Sequence, residues 1–211
     1  MTNNQLIVED RNVGKTTYLM NEIDKYILQN KFIIVLDSAT EHEEKSLLKK
    51  VIKKYPDSEY INVIDKQKIN INEYLIGDYI KNYKNNFPYF ELSSCKSNII
   101  CFDVSYFLEK GHEVYDKTKS IDCYKYYRKI YNDLSQQIVL MAILLEHNKI
   151  IKDVVVVMDE IELPIVNYEM DKLQDNIMFL ASVHPENSFG TFYNSFEKID
   201  FKKYIRKAKN I

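Results

Sequence analysis

Three short apolar runs, each stopped by an acid, constrain this chain more than any other feature. Val154–Met158 ends at Asp159-Glu160, Phe32–Leu36 ends at Asp37, and Ile99–Phe102 ends at Asp103. Runs this brief, rich in β-branched residues and lacking polar alternation, are the pattern of strands buried on both faces. Gln5–Val8, Tyr60–Ile64 and Ile177–Val183 add further strand candidates. Between them the period changes to three and four: Leu19, Met20, Ile23, Tyr26 and Ile27; Leu47, Leu48, Val51 and Ile52; and a segment over Tyr74–Tyr83. The longest helical pattern is Tyr124–His147, whose Tyr127, Ile130, Tyr131, Leu134, Ile138, Met141, Ala142 and Leu145 share one stripe. Strands and helices in alternation imply an α/β fold of three layers, α/β/α, with a mainly parallel sheet.

A length of 211 residues suits one α/β core, so residues 1–211 are expected to form one domain. An insertion or mobile loop is expected around the Ile99–Phe102 strand, across 84–122, where Asn-Asn-Phe-Pro, Ser-Ser-Cys-Lys-Ser and Gly111 interrupt the periodicity. Apolar residues at 45% and charged residues at 28% are the balance of a globular protein and not of a disordered or fibrous one. The formal charge of −2 excludes a broad electrostatic attraction to nucleic acid or anionic lipid. The exception is local: a basic tail over 198–211, with Lys202, Lys203, Arg206, Lys207 and Lys209, reads as a solvated helix face or an arm for nucleic-acid phosphates. Cys95, Cys101 and Cys123 show no metal-binding spacing, and no leader or long apolar span is visible. A cytoplasmic protein with no membrane contact is the expectation.

Ligands of open α/β sheets bind beyond the carboxyl ends of the strands. After the first strand comes Glu9-Asp10-Arg11-Asn12-Val13-Gly14-Lys15-Thr16-Thr17, leading directly into a helical pattern. Binding a triphosphate requires backbone N–H groups that wrap phosphate, a helix N-terminus that favours anions, and a cation for the terminal oxygens. The segment resembles the Walker A P-loop, G-x-x-x-x-G-K-[ST], in all but its first glycine, where Glu9 stands. The run Val154–Met158 followed by Asp159-Glu160 resembles a Walker B strand.

The two half-motifs together resemble the P-loop NTPases, in the additional-strand, catalytic-glutamate division that includes RecA-like and DNA-pumping ATPases. That resemblance implies binding and hydrolysis of ATP (or GTP) with Mg²⁺, coupled to a conformational or assembly change, with a homo-oligomer or protein partner. It implies that Asn12, Val13, Gly14, Lys15, Thr16 and Thr17 cradle the nucleotide and that Thr16 and Asp159 hold the metal. Lys15 neutralises phosphate charge, and Glu160 polarises the attacking water. The strand after Walker B then carries a γ-phosphate sensor, with Ser182 and His184 as candidates. ATP is preferred to GTP because no guanine-reading N-K-x-D appears.

Two rival readings use the same residues. A small-molecule or nucleoside kinase would take Asp37 or Asp103 as the base for an acceptor hydroxyl. A nucleotide-binding interaction module without hydrolysis would follow from Glu9 in place of glycine. Asp103 also competes with Asp159 for the metal; the longer apolar run and the following glutamate favour Asp159. Arg11, Arg128 and Arg206 are candidate stabilisers of phosphate charge.

Overall fold

The computed structural model describes residues 4–9, 13–37, 46–62, 97–147, 149, 151–160, 177–183 and 197–198. In chain order the elements are β1 (Gln5–Val8), α1 (Lys15–Leu28), β2 (Phe32–Asp37), α2 (Leu47–Lys54), β3 (Glu59–Asn62), β4 (Ile99–Asp103), α3 (Ser105–Thr118), α4 (Ile121–His147), β5 (Val154–Asp159), β6 (Met178–Val183) and β7 (Glu197–Lys198). All pairings are parallel, and the strands lie in the order β3-β4-β2-β5-β6-β1-β7. Thus β6 separates β1 from β5, although it follows both in sequence.

Alternation along each strand assigns side chains to two faces. Ile33 and Val35 of β2, Cys101 of β4 and Val155 and Val157 of β5 pack with Leu19, Ile23 and Tyr26 of α1 and with Leu47, Leu48 and Val51 of α2. On the other face Ile34, Leu36, Phe102, Val156 and Phe179 pack with Tyr131, Leu134, Ile138, Met141, Ala142 and Leu145 of α4. The result is helix, sheet, helix. Burying a side chain of this size contributes about 1.5–3 kcal/mol, which is why the central strands read as unbroken apolar runs.

The predicted strands and helices recur with small changes of boundary: β2 takes in Asp37, β5 takes in Asp159, and α4 begins at Ile121. The helix expected over Tyr74–Tyr83 and the tail beyond Lys198 lie outside the described residues. One expectation is corrected. Residues 105–118 form α3 and α4 begins at Ile121, so the part of the expected loop that is described is mostly helical, while residues 84–96 lie outside the described residues. Few of α3's residues are buried, since it packs chiefly on α4 and not on the sheet, so its apolar stripe is thin. Gly111, which suggested a loop, sits at the close approach of the two helices. A Cβ there would lie 3.1 Å from Tyr127 Cβ and 3.4 Å from the Tyr124 ring.

The two cysteines among the described residues differ sharply in setting. Cys101 is buried in β4, and burial, with the nearby Asp37 charge, pushes its thiol up to about 12; Cys123 is exposed on α4. Because the thiolate is the nucleophile, iodoacetamide treatment of the native protein followed by peptide mapping is expected to modify Cys123 and spare Cys101 until the chain unfolds. Equal labelling of the two would contradict the central position of β4.

Candidate functional site

The carboxyl ends of the strands form one polar edge. Strand register sets Asn62 beside Asp103, Asp103 beside Asp37, Asp37 beside Asp159, and Asp159 beside Ser182. Three buried aspartates therefore lie in a row on β4, β2 and β5, and their hydrogen bonds separate their roles.

Asp37 accepts from Ser46 Oγ at 2.9 Å and from the Leu48 N–H at 3.3 Å. It thereby ties the start of α2 to the end of β2, while Ser46 caps the helix by accepting from the Lys49 N–H at 3.4 Å. Asp103 accepts from Tyr60 Oη at 2.6 Å, from the Ser105 N–H at 3.0 Å and from Ser105 Oγ at 2.7 Å, fixing the entry to α3. Both carboxylates are occupied in joining strand ends to helix starts.

Asp159 is placed differently. Its carboxyl is buried, with Oδ2 accepting from Thr16 Oγ1 at 3.0 Å and Oδ1 accepting from the Ser182 hydroxyl. The first residues of α1 and the tip of β5, 143 positions apart in sequence, thus meet directly. Burial pushes the Asp159 carboxyl above its ordinary value, and the neighbouring Glu160 charge adds to this. The Ser182 and Thr16 hydroxyls and the Lys15 ammonium pull the other way.

Lys15 lies against the same group. Its buried ammonium donates to the Glu9 carbonyl at 2.6 Å and pairs with Glu160 Oε1 at 2.6 Å. Glu160 follows β5 with φ at 57°, in the left-handed region that side chains disfavour. Its N–H donates to the Ser182 carbonyl at 2.9 Å, which holds the turn. Gly14 precedes α1 with φ at 98° and nothing within 4 Å of a Cβ built there. Backbone conformation is therefore the reason for glycine at this position. No side chain among the described residues caps α1, so its first N–H groups face the polar edge with the favourable end of the helix dipole.

Of the other residues singled out from sequence, Val13 is half-buried against the α1 face of the core. Thr17 is exposed and borders a groove lined by Met20, Lys50, Lys53 and Lys54. Arg128 belongs to α4, on the sheet face opposite α1. Asn12, His184, Arg11 and Arg206 lie outside the described residues. The sequence raised Ser182 as a phosphate sensor, whereas here its hydroxyl is engaged by Asp159. The available signal for that contact was a small polar residue near the end of the strand after Asp159.

Mg²⁺ suits this donor set. Magnesium is commonly held by one or two carboxylates, with water and substrate phosphates completing its shell. A buried carboxylate beside a hydroxyl offers such a partial set, while the nearby N-terminus of α1 favours the phosphates and not the cation. No cluster of three or more His, Cys, Asp or Glu side chains that could hold a metal without substrate occurs among the described residues.

The fold is similar to the solved structure of VirB4 of Thermoanaerobacter pseudethanolicus, with a TM-score of 0.52 and 11% identity over 99% of this chain and 81% of that one. The shared architecture is an α/β fold with a mainly parallel sheet. No family model matches the chain, and no curated protein matches it. At 11% identity the likeness to VirB4 speaks for the fold and not for the activity.

The contrast between the aspartates yields a test. Asp37→Ala is expected to lower stability by about 1–3 kcal/mol, since it leaves the Ser46 hydroxyl and Leu48 N–H without this acceptor. Urea unfolding of the two proteins checks this, and undiminished stability would contradict a role for Asp37 in holding the start of α2.

Proposed function

We propose that this protein binds ATP with Mg²⁺ and hydrolyses it, using the loop before α1 and the end of β5. The observation that carries the reading is the convergence of the Lys15 ammonium, the Thr16 hydroxyl and the Asp159 and Glu160 carboxylates. These groups match the chemistry of Walker A and Walker B, arrive from elements distant in sequence, and sit at the carboxyl edge of a parallel sheet. The place of β6 between β1 and β5 supports the additional-strand division to which the sequence is similar.

Within this reading the backbone of residues 12–17 wraps the phosphates, and Gly14 allows their close approach. Lys15 leaves Glu160 and the Glu9 carbonyl to meet the terminal phosphate oxygens. Thr16 and Asp159 hold the metal, which when bound supplies positive charge to the phosphate oxygens. Glu160, released by Lys15, then accepts the proton of the attacking water. The ion pair thus keeps the base engaged until a phosphate competes for the lysine, and turnover in turn frees the loop for a conformational or assembly change. His184, the residue that follows β6 in sequence, is a further candidate phosphate contact in this scheme.

The rival readings have less support. Asp37 and Asp103, the acids a kinase would require as bases, hold helix starts. A module without hydrolysis would leave the Glu160 carboxylate, paired with Lys15 and with its backbone held by Ser182, without a catalytic task.

Lys15→Ala is expected to abolish binding of a fluorescent ATP analogue. Glu160→Gln should retain binding, with affinity equal to or above that of wild type because Lys15 loses a competing anion, and should lower phosphate release by about 10²–10⁴-fold. Wild-type hydrolysis by both variants would overturn the assignment.

A further inference from the structure

We infer that Ser182 is the positioning residue for both acids of the candidate site. This inference rests on the proposed nucleotide reading and adds a role to a residue that would otherwise be assigned to the phosphate. Ser182 is completely buried on β6, directly beside Asp159 in the sheet register. Its hydroxyl donates to Asp159 Oδ1, and its carbonyl accepts the N–H of Glu160. One residue therefore restrains two consecutive carboxylates by two different atoms.

The geometry also divides the Asp159 oxygens. With Oδ1 engaged by Ser182 from the β6 side, Oδ2 is turned toward Thr16 on α1. A carboxylate on a single-bond axis rotates freely unless its other oxygen is held, and the hydroxyl supplies that hold inside a buried setting. The backbone contact does the same for Glu160, whose left-handed conformation would relax without an acceptor for its N–H. A serine hydroxyl donating to Asp159 in this way is not aimed at a γ-phosphate. The expectation of a sensor at this position is thereby replaced by a role in orientation. Partners that orient a metal ligand commonly affect metal affinity by 10–100-fold when removed.

The test measures magnesium dependence separately from nucleotide binding. Binding of a fluorescent ATP analogue to the full chain is followed in EDTA and then against rising Mg²⁺, for wild type, Ser182→Ala and Ser182→Thr. The inference predicts that Ser182→Ala raises the Mg²⁺ midpoint about 10–100-fold, leaves metal-free binding within twofold, and is rescued by Ser182→Thr, which restores a hydroxyl. An unchanged midpoint in Ser182→Ala would overturn it, as would loss of ATP-over-ADP discrimination at an unchanged midpoint, which would make Ser182 a phosphate sensor. Equal weakening with and without metal would overturn it too, by indicating a structural role alone. If Ser182→Ala does not fold, Ser182→Cys takes its place, with a smaller rise of the Mg²⁺ midpoint expected because the thiol is a weaker donor than the hydroxyl, and an unchanged midpoint overturning the inference. Failure of the wild type to bind nucleotide would defeat the proposed function itself, an outcome distinct from a wild type that binds and a variant that is unaffected.

Discussion

A buried carboxylate bridged by two hydroxyls joins segments of this chain that are distant in sequence. Asp159 accepts from Thr16 on one side and from Ser182 on the other, so α1, β5 and β6 meet at a single acidic group. A carboxylate in such a place is costly without donors, and burial does push it toward the neutral form. The two hydroxyls and the nearby Lys15 ammonium offset that cost. The strand order follows the same requirement: only with β6 between β5 and β1 do Ser182 and the residues after β1 flank Asp159 together.

Beside Asp159 and its two hydroxyls lies the Lys15–Glu160 ion pair, the element that ligand would redistribute in the proposed scheme. In that scheme an incoming phosphate would compete with Glu160 for the lysine, and a divalent ion would displace the Thr16 hydroxyl from Asp159 Oδ2 while Ser182 keeps its hold on Oδ1. The groups thus hold one another in the absence of ligand and can be redistributed when ligand arrives. Asp37 and Asp103, chemically identical to Asp159, instead tie strand ends to adjacent helix starts through serines and N–H groups, with Tyr60 a further partner of Asp103.

Much of this was legible in the sequence, for reasons that particular residues make clear. Phe32–Leu36, Ile99–Phe102 and Val154–Met158 are central strands buried on both faces, so each appears as an unbroken apolar run whose end is marked by its aspartate. Gly14-Lys15-Thr16 and Asp159-Glu160 stood out by spacing and setting, and the fold brings Lys15, Thr16, Asp159 and Glu160 together. Helix α3 was not legible, because it leans on α4 through Gly111 and has little apolar stripe of its own. Nor do local patterns fix which strands are neighbours. That Ser182 faces Asp159 depends on register across the sheet, and that Asp37 binds Ser46 depends on how the chain returns into α2.

The central claim is that Thr16 and Asp159 flank a metal bound to a triphosphate held by Lys15. The most direct measurement is a crystal structure grown with a non-hydrolysable ATP analogue and Mn²⁺, with the metal located by its anomalous signal. The account predicts a manganese peak between the Thr16 hydroxyl and the Asp159 carboxylate, the Lys15 ammonium on phosphate oxygens, and Glu160 released from Lys15. A nucleotide bound elsewhere, with the Lys15–Glu160 pair intact and no metal beside Thr16, would contradict it.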